Sequence, residues 1–430
     1  MRTIAFGSRA HARWLLALPR SSAPRREVVR AAEAIVRSVE REGDAALVRL
    51  VARLDGVRLT AARLRVRPEE ILSRARLADS ALVASLRRVA RQIEEFHRCQ
   101  LAPGYRRELA DGSVLEEQVR PLGSAGLYVP GGKGAYPSSV LMNAIPAKVA
   151  GVRRLALVTP PRTLERNPAV AAAIVVAGLE EEVYRVGGAQ AIAALAFGTR
   201  SIPAVDKIVG PGNAYVAAAK RLVRGRVEID SEAGPSEVVI LADDSADAGH
   251  VAADLLAQAE HGSGEETVVL VTTSASLAEE TVRLVHEGLR SVANTARARR
   301  AIARNGAVIR VEDLEQGMEA VNALAPEHVE VMTRGAARLA ARVVAGAVFV
   351  GPWTPVAVGD YGVGPNHVLP TGGAARFASP LSVRDFQRRQ SVVTLTRRGL
   401  GRVADDVVRV ARAEGFSGHA QSVLTRLEAE

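Results

Sequence analysis

The stretch DLLAQAEHGSG, Asp254 to Gly264, sets Gln258 and His261 three residues apart at the end of an apolar helical run. Residues at i and i+3 share a helix face. An amide and an imidazole so placed are either ordinary surface groups or two ligands of one metal ion. Other segments also carry groups with chemistry. LAPEHVEVM puts Glu327 beside His328 after Pro326, at the expected start of a strand. Histidine is the usual general base near neutral pH. Adjacent strand residues face opposite sides, yet at a strand end both can reach one cleft; a surface pair is the plainer reading. GDYGVGPNHVLPTGG holds Asp360 and His367 in a Gly/Pro loop, either a long surface connection or a binding loop. Near the end, AEGFSGH offers Glu414 and His419. Gln258, His261, Asp360 and His419 would supply imidazole, carboxylate and amide donors without sulfur. Such a set suits zinc or a similar divalent ion in a functional site rather than a structural one. The four are scattered along the chain, so spacing alone decides nothing.

The elements that must position these groups read as α/β. From Arg25 to Gln100 the pattern is helical and laced with Arg and Glu, and Pro68 with Glu69 and Glu70 suits a helix first turn. These helices are expected to form a peripheral arm or covering layer. After Val114, apolar runs such as AGLYVPGG, RRLALVTPP, EVYRVGG and DKIVGPGN alternate with helical stretches. That βαβ rhythm implies a mostly parallel sheet with helices on both faces. A second series follows AGPSE, with EVVILAD, TVVLVTTS, AVIRV, HVEVM and GAVFVG as its strands. The expected fold is two Rossmann-like domains, at residues 114–235 and 236–380, with a helical region at 1–113 and a helical tail at 381–430. A tail of that length is too short to bury a core alone and must dock on something.

Open parallel sheets bind ligands at the carboxyl ends of their strands. There the first series places VPGGKGAYPSS, VGGAQAI and VGPGNAYV, each between a strand and a helix, where backbone N–H groups can face an anion. None is a dinucleotide fingerprint. Gly132-x-Gly134 meets Pro137 where a third glycine should fall, and Gly210-x-Gly212 meets Tyr215. Each loop alone reads as a structural turn, but three in succession on one sheet edge point to a nucleotide or anion cleft.

Composition bounds the function. The chain has 430 residues, 48% hydrophobic and 24% charged, which is globular and long enough for two or more domains. Its formal charge of +10 invites a nucleic-acid reading. The arginines, however, are spread and mixed with acids, as in RRVARQIEEFHR, and aromatics are only 3%, a poor stacking surface. A basic, non-catalytic nucleic-acid binder is thereby disfavoured, although a positive field still draws in anionic ligands. The single cysteine, Cys99, excludes an intrachain disulfide framework and a thiolate-rich zinc site. The apolar run from Trp14 to Pro19 is too short for a signal core or a membrane span, so a cytoplasmic protein with no membrane partner is expected.

VDKIVGPGNAYVAAAKR, AGPSEVVILAD, DLLAQAEHG, APEHVEV and GDYGVGPNHVLPTGGAARFASPLSV occur in this order. Together they resemble the histidinol dehydrogenase family over essentially the whole chain. The resemblance implies a homodimer that depends on one zinc per subunit and on NAD. It would oxidise L-histidinol through histidinal to L-histidine, the last step of histidine biosynthesis, at a site shared between subunits. It assigns Gln258, His261, Asp360 and His419 to zinc and Glu327 and His328 to acid–base catalysis. Ser236, His367 and Glu414 match positions that contact substrate, beside the zinc ligands and His328. Tyr128, Gln190 and Asn213 match nucleotide-contacting positions. The sequence departs from the family pattern at Ala218 and Val356, where acids are common, and at Trp353; none is a carried-over position. Since Cys99 lies in an Arg/Glu-rich helical segment, water activated by Glu327, and not a thiolate, is the expected nucleophile in aldehyde oxidation. A sister activity on the same scaffold, oxidation of a small sulfonated diol, would need an anion pocket; His367, Glu414 and His419 argue against it.

Overall fold

The structure, a computed structural model, describes residues 1–18, 25–131, 134–232, 234–261 and 263–428. Gly132 of the first glycine-rich loop, Gly262 after His261, and Pro19 closing the early apolar run lie outside these residues. In chain order the strands are β1 (Arg2–Ala5), β2 (Tyr105–Glu108), β3 (Val114–Pro121), β4 (Ser124–Tyr128), β5 (Arg154–Val158), β6 (Val183–Tyr184) and β7 (Lys207–Val209). They continue with β8 (Glu228–Ile229), β9 (Glu237–Ala242), β10 (Thr267–Thr272), β11 (Ala307–Arg310), β12 (His328–Met332), β13 (Ala347–Val350) and β14 (Gln387–Thr394).

Two parallel sheets form the body. The first has the order β6-β5-β4-β7-β8 and the second β1-β11-β10-β9-β12-β13. Counted within each series, both read third, second, first, fourth, fifth, the Rossmann order. Strands buried on both faces must be apolar throughout, which is why EVVILA and TVVLVT carry almost no alternation; every residue of β10 is buried. Four apolar clusters fill the two faces of the two sheets. The N-terminal helices do not stand apart. Arg26–Glu42 joins the cluster on one face of the first sheet, and Pro68–Ala75 and Ser80–Arg98 join that on the other. Pro68 opens its helix with Glu69 and Glu70 in the first turn.

The arm and the tail are helical in the main, and each also adds strands. β1 extends the second sheet by pairing with β11, Arg2 against Ala307. Only Ile4 of its four residues is buried, so no periodicity marks it. β14 in the tail runs antiparallel to β3, from Gln387 against Pro121 to Thr394 against Val114, and β2 completes a small third sheet. The residues of β2 and β14 are largely exposed and polar, so these stretches lack the apolar signature of a strand. The helices Arg397–Ala413 and Ser417–Glu428 close the chain over a cluster of only Val408, Ala411, Ala420, Val423 and Leu424.

The connection rule of parallel sheets decides where chemistry gathers. A crossover helix runs antiparallel to its strands, so its last turn lies at the amino edge of the sheet. Helix Ala248–Ala259, N-capped by Asp247, therefore delivers Gln258 and His261 to the amino edge of the second sheet. Ser236 enters β9 and Glu327 enters β12 at that same edge. The carboxyl edge of the first sheet, with its glycine-rich loops, faces it across a cleft.

Candidate active site

The cleft measures about 1070 Å³, and nine of the expected site residues line it: Tyr128, Gln190, Asn213, Ser236, His261, Glu327, His328, Asp360 and His367. Gln258 is buried nearby, with both side-chain amide atoms lacking any partner. Glu414 and His419 are exposed on the tail and do not line the cleft.

Glu327 and His328 are both buried and both held by the backbone of one residue, Glu237, on the neighbouring strand. The Glu237 N–H donates to Glu327 Oε2 at 3.0 Å, and His328 Nδ1 lies 3.0 Å from the Glu237 carbonyl oxygen. A carbonyl only accepts, so Nδ1 carries the proton and the lone pair is on Nε2. The same logic frees Nε2 of His367, whose Nδ1 is 3.1 Å from the Asp360 carbonyl. His261 Nδ1 makes a longer approach, 3.4 Å, to the carbonyl of Ala257. Three imidazoles thus keep an unprotonated nitrogen for a proton or a metal.

Burial dominates the titration of Glu327, His328 and His367. It pushes Glu327 up to about 8; the Asp360 charge adds to this, while the Glu237 N–H, His261 and Ser236 oppose it. Burial lowers His328 and His367, against the pull of Asp360. Both histidines are therefore neutral near neutral pH, the form a general base or metal ligand requires. A divalent cation beside Glu327 would favour its carboxylate form.

Residues outside the sequence-based set support this centre. The Glu237 carboxylate accepts the Glu327 N–H at 3.3 Å and the Gly372 N–H at 3.1 Å, which ties the loop after His367 to the catalytic strand end. Its only signal in the sequence was adjacency to Ser236. Glu330, two residues after His328, is buried and accepts the Val356 N–H at 2.9 Å, at the start of the helix Val356–Tyr361 that carries Asp360. Its carboxyl also feels the charge of Asp254, on the helix that carries Gln258. Burial and the Asp254 charge push Glu330 up to about 8. Glu330→Ala would leave the Val356 N–H buried without an acceptor. The expected loss is about 1–3 kcal/mol, read as a lower denaturant midpoint with unchanged m-value. An unaltered midpoint would show that Glu330 does not hold these helices together.

The opposite wall suits an anionic, ring-bearing ligand. Helices Gly188–Phe197 and Ala214–Val223 begin at the cleft, where the positive ends of their dipoles favour negative charge. Asn213 caps the second helix, its Oδ1 accepting from Tyr215 and Val216. Gln190 is buried with Oε1 unpartnered. Tyr128 is buried and receives the Gly188 N–H on its hydroxyl at 3.1 Å; burial pushes its pKa up to about 12, so it stays neutral. Gly210 has φ +114°, and a Cβ there would meet the Tyr128 carbonyl oxygen at 2.1 Å, so only glycine fits. The buried ion pair Lys220–Asp230, 2.6 Å apart, binds both its N–H and its carbonyl.

Among the described residues no group of three or more His, Cys, Asp and Glu side chains could hold an ion. The donors that fit are His261, with a free lone pair, Asp360, and the orphaned buried amide of Gln258.

The family model for histidinol dehydrogenase matches residues 18–427. The histidinol dehydrogenase of Gluconobacter oxydans is 50% identical over 404 residues, covering 94% of each chain. That of Listeria monocytogenes is 44% identical over 399 residues, covering 93% of this chain and 92% of its own. The crystal structure of histidinol dehydrogenase from Elizabethkingia anophelis superposes with a TM-score of 0.93 at 32% identity, covering 100% of this chain and 98% of that one. With its two parallel Rossmann-order sheets, the chain is an α/β oxidoreductase. It belongs to the histidinol dehydrogenase family.

Proposed function

We propose that the protein oxidises L-histidinol through histidinal to L-histidine, with NAD as hydride acceptor and one zinc per subunit. The observation that carries this reading is the paired clamping of Glu327 and His328 on Glu237, beside an orphaned Gln258 amide, at the mouth of a nucleotide-sized cleft. In this reading residues 114–235 hold the nucleotide through Tyr128, Gln190 and Asn213. Residues 236–380 supply the chemistry. The tail, 381–430, docks on the partner of a homodimer in the cytoplasm. Among the described residues no helix is long and apolar enough to cross a membrane.

Gln258, His261 and Asp360, with His419 from the partner, would hold the zinc. Zinc so held supplies a template and Lewis acid for a substrate bearing an imidazole and an amine. Ser236, His367 and Glu414 orient the substrate, which keeps the carbinol carbon at the nicotinamide end of the cleft. His328 Nε2 takes the hydroxyl proton as hydride leaves for NAD, giving the aldehyde. Glu327, as carboxylate, then draws a proton from water as it adds to the carbonyl. The hydrate yields the second hydride, again with His328 as base, and the acid is released.

The test is stoichiometric. L-histidinol with excess NAD should give about two NADH per histidine, because one site performs both oxidations. Chelation should abolish turnover and leave calorimetric NAD binding in place, since the two sets of residues lie on opposite walls. A ratio near one with histidinal accumulating would sink the two-step reading. NAD affinity lost together with the metal would sink the separation of the sites.

A further inference from the structure

In a Rossmann-order sheet the acid that reads the adenosine ribose stands at the carboxyl end of the second strand. Here that strand is β5, and it runs out into Thr159, Pro160, Pro161 and Arg162, with no carboxylate. An acid reaches the same place from elsewhere. The helix Asp44–Leu50 continues as a π-turn over Val51–Asp55 and stops at Gly56, φ +64°. Such turns recur at functional sites. Arg162, just past β5, donates to the Gly56 carbonyl oxygen at 3.1 Å and thereby pins Asp55 beside the strand end. Asp55 lines the cleft, and its Oδ2 is buried with no hydrogen-bond partner. Burial raises its pKa, with the Arg162 charge opposing, and its own charge acts on Tyr128 across the nucleotide wall. Among the described residues only three carboxylates line the cleft: Glu327 and Asp360 stand with the imidazoles, and Asp55 stands with the nucleotide loops.

We propose that Asp55 accepts the hydrogen bond of the adenosine ribose 2′-hydroxyl and so selects NAD over NADP; this rests on the nucleotide reading above. Arg49 and Arg53 line the same end of the cleft, and Arg162 adjoins it. Three guanidiniums would welcome a 2′-phosphate, and the carboxylate among them is what turns it away. Asp55 therefore acts twice, as acceptor for the hydroxyl and as a repelling charge against the phosphate.

The experiment is calorimetric titration of the full-length enzyme and its Asp55→Asn and Asp55→Ser variants. The probes are NAD, NADP and NAD lacking the adenosine 2′-hydroxyl. Wild type should bind NAD best and lose roughly ten- to a hundredfold on removal of the hydroxyl, the range of a hydrogen bond to a charged group. That removal should matter little in Asp55→Ser, whose shorter side chain withdraws the acceptor. It should matter less than in wild type in Asp55→Asn, whose amide oxygen still accepts without the charge. In both variants the ratio of NAD to NADP affinity should fall at least about tenfold. Unchanged histidinol affinity and melting temperature show that the variants are folded. Should wild type bind NAD while hydroxyl removal costs wild type and variants equally, Asp55 is not the contact and the nucleotide reading stands. Should wild type bind no nucleotide at all, the nucleotide reading falls and takes this inference with it.

Discussion

Glu327→Gln slows oxidation of histidinal by about a hundredfold or more and oxidation of histidinol far less, while His328→Asn slows the alcohol step at least as strongly as the aldehyde step. The split follows from what each atom can do. In the proposed mechanism the alcohol step needs one base for one hydroxyl proton, and His328 Nε2 serves as that base because the Glu237 carbonyl occupies Nδ1. The aldehyde step additionally needs water turned into a nucleophile, which falls to Glu327. Both substitutions spare the framework. A glutamine oxygen can still accept the Glu237 N–H, and an asparagine amide can still donate towards the Glu237 carbonyl. Pre-steady-state mixing, with histidinol or histidinal supplied separately, reads the two steps. Equal losses of both half-reactions in both variants would contradict the division of labour. The pH profile of the alcohol step follows in sign. Burial lowers His328, so its base form persists below the ordinary imidazole range and the rate falls only as pH drops through that lowered value.

Which parts were legible in the sequence follows from which forces leave a local trace. Strands buried on both faces read as apolar runs, and β4, β5, β9 and β10 were found that way. The glycine-rich loops announced the carboxyl edge of the first sheet because Gly210 admits no Cβ. β1 and β14 left no trace, since their partners β11 and β3 lie far away in sequence and their side chains are mostly exposed. The rule that ligands sit at carboxyl strand ends located only half the cleft. In the second sheet the chemistry gathers at the amino ends, because the crossover helix returns Gln258 and His261 there and Glu327 and His328 stand at a strand entry. Glu237 escaped notice for a related reason. Its hold on the Glu327 carboxyl and the His328 ring comes from its backbone, which any residue type could offer, and only the pairing of β9 with β12 reveals the contact.

Co-refolding two inactive variants, His261→Asn and His419→Asn, restores activity if the site is shared between subunits. The tail within one chain does not reach the cleft: Glu414 and His419 are exposed, with the His419 ring stacked on Phe416 at 5.1 Å. Its helix Arg397–Ala413 turns Val403, Val407 and Val410 outward, and Phe416 is exposed as well. An apolar stripe at that spacing, close to His419, supports docking on a second copy. A ligand on so small a helical pair also needs a firm seat to be preorganised. In a two-fold dimer each variant homodimer lacks one ligand at both sites and is nearly inactive. In the mixed dimer the chain with intact His261 meets the other chain's intact His419, while the second site loses both. One site of two is then complete, so the mixed dimer should show about half the wild-type rate. A tail folded onto its own body would leave every site short of a ligand, so mixed dimers proven by mass spectrometry yet still inactive would place His419 in cis.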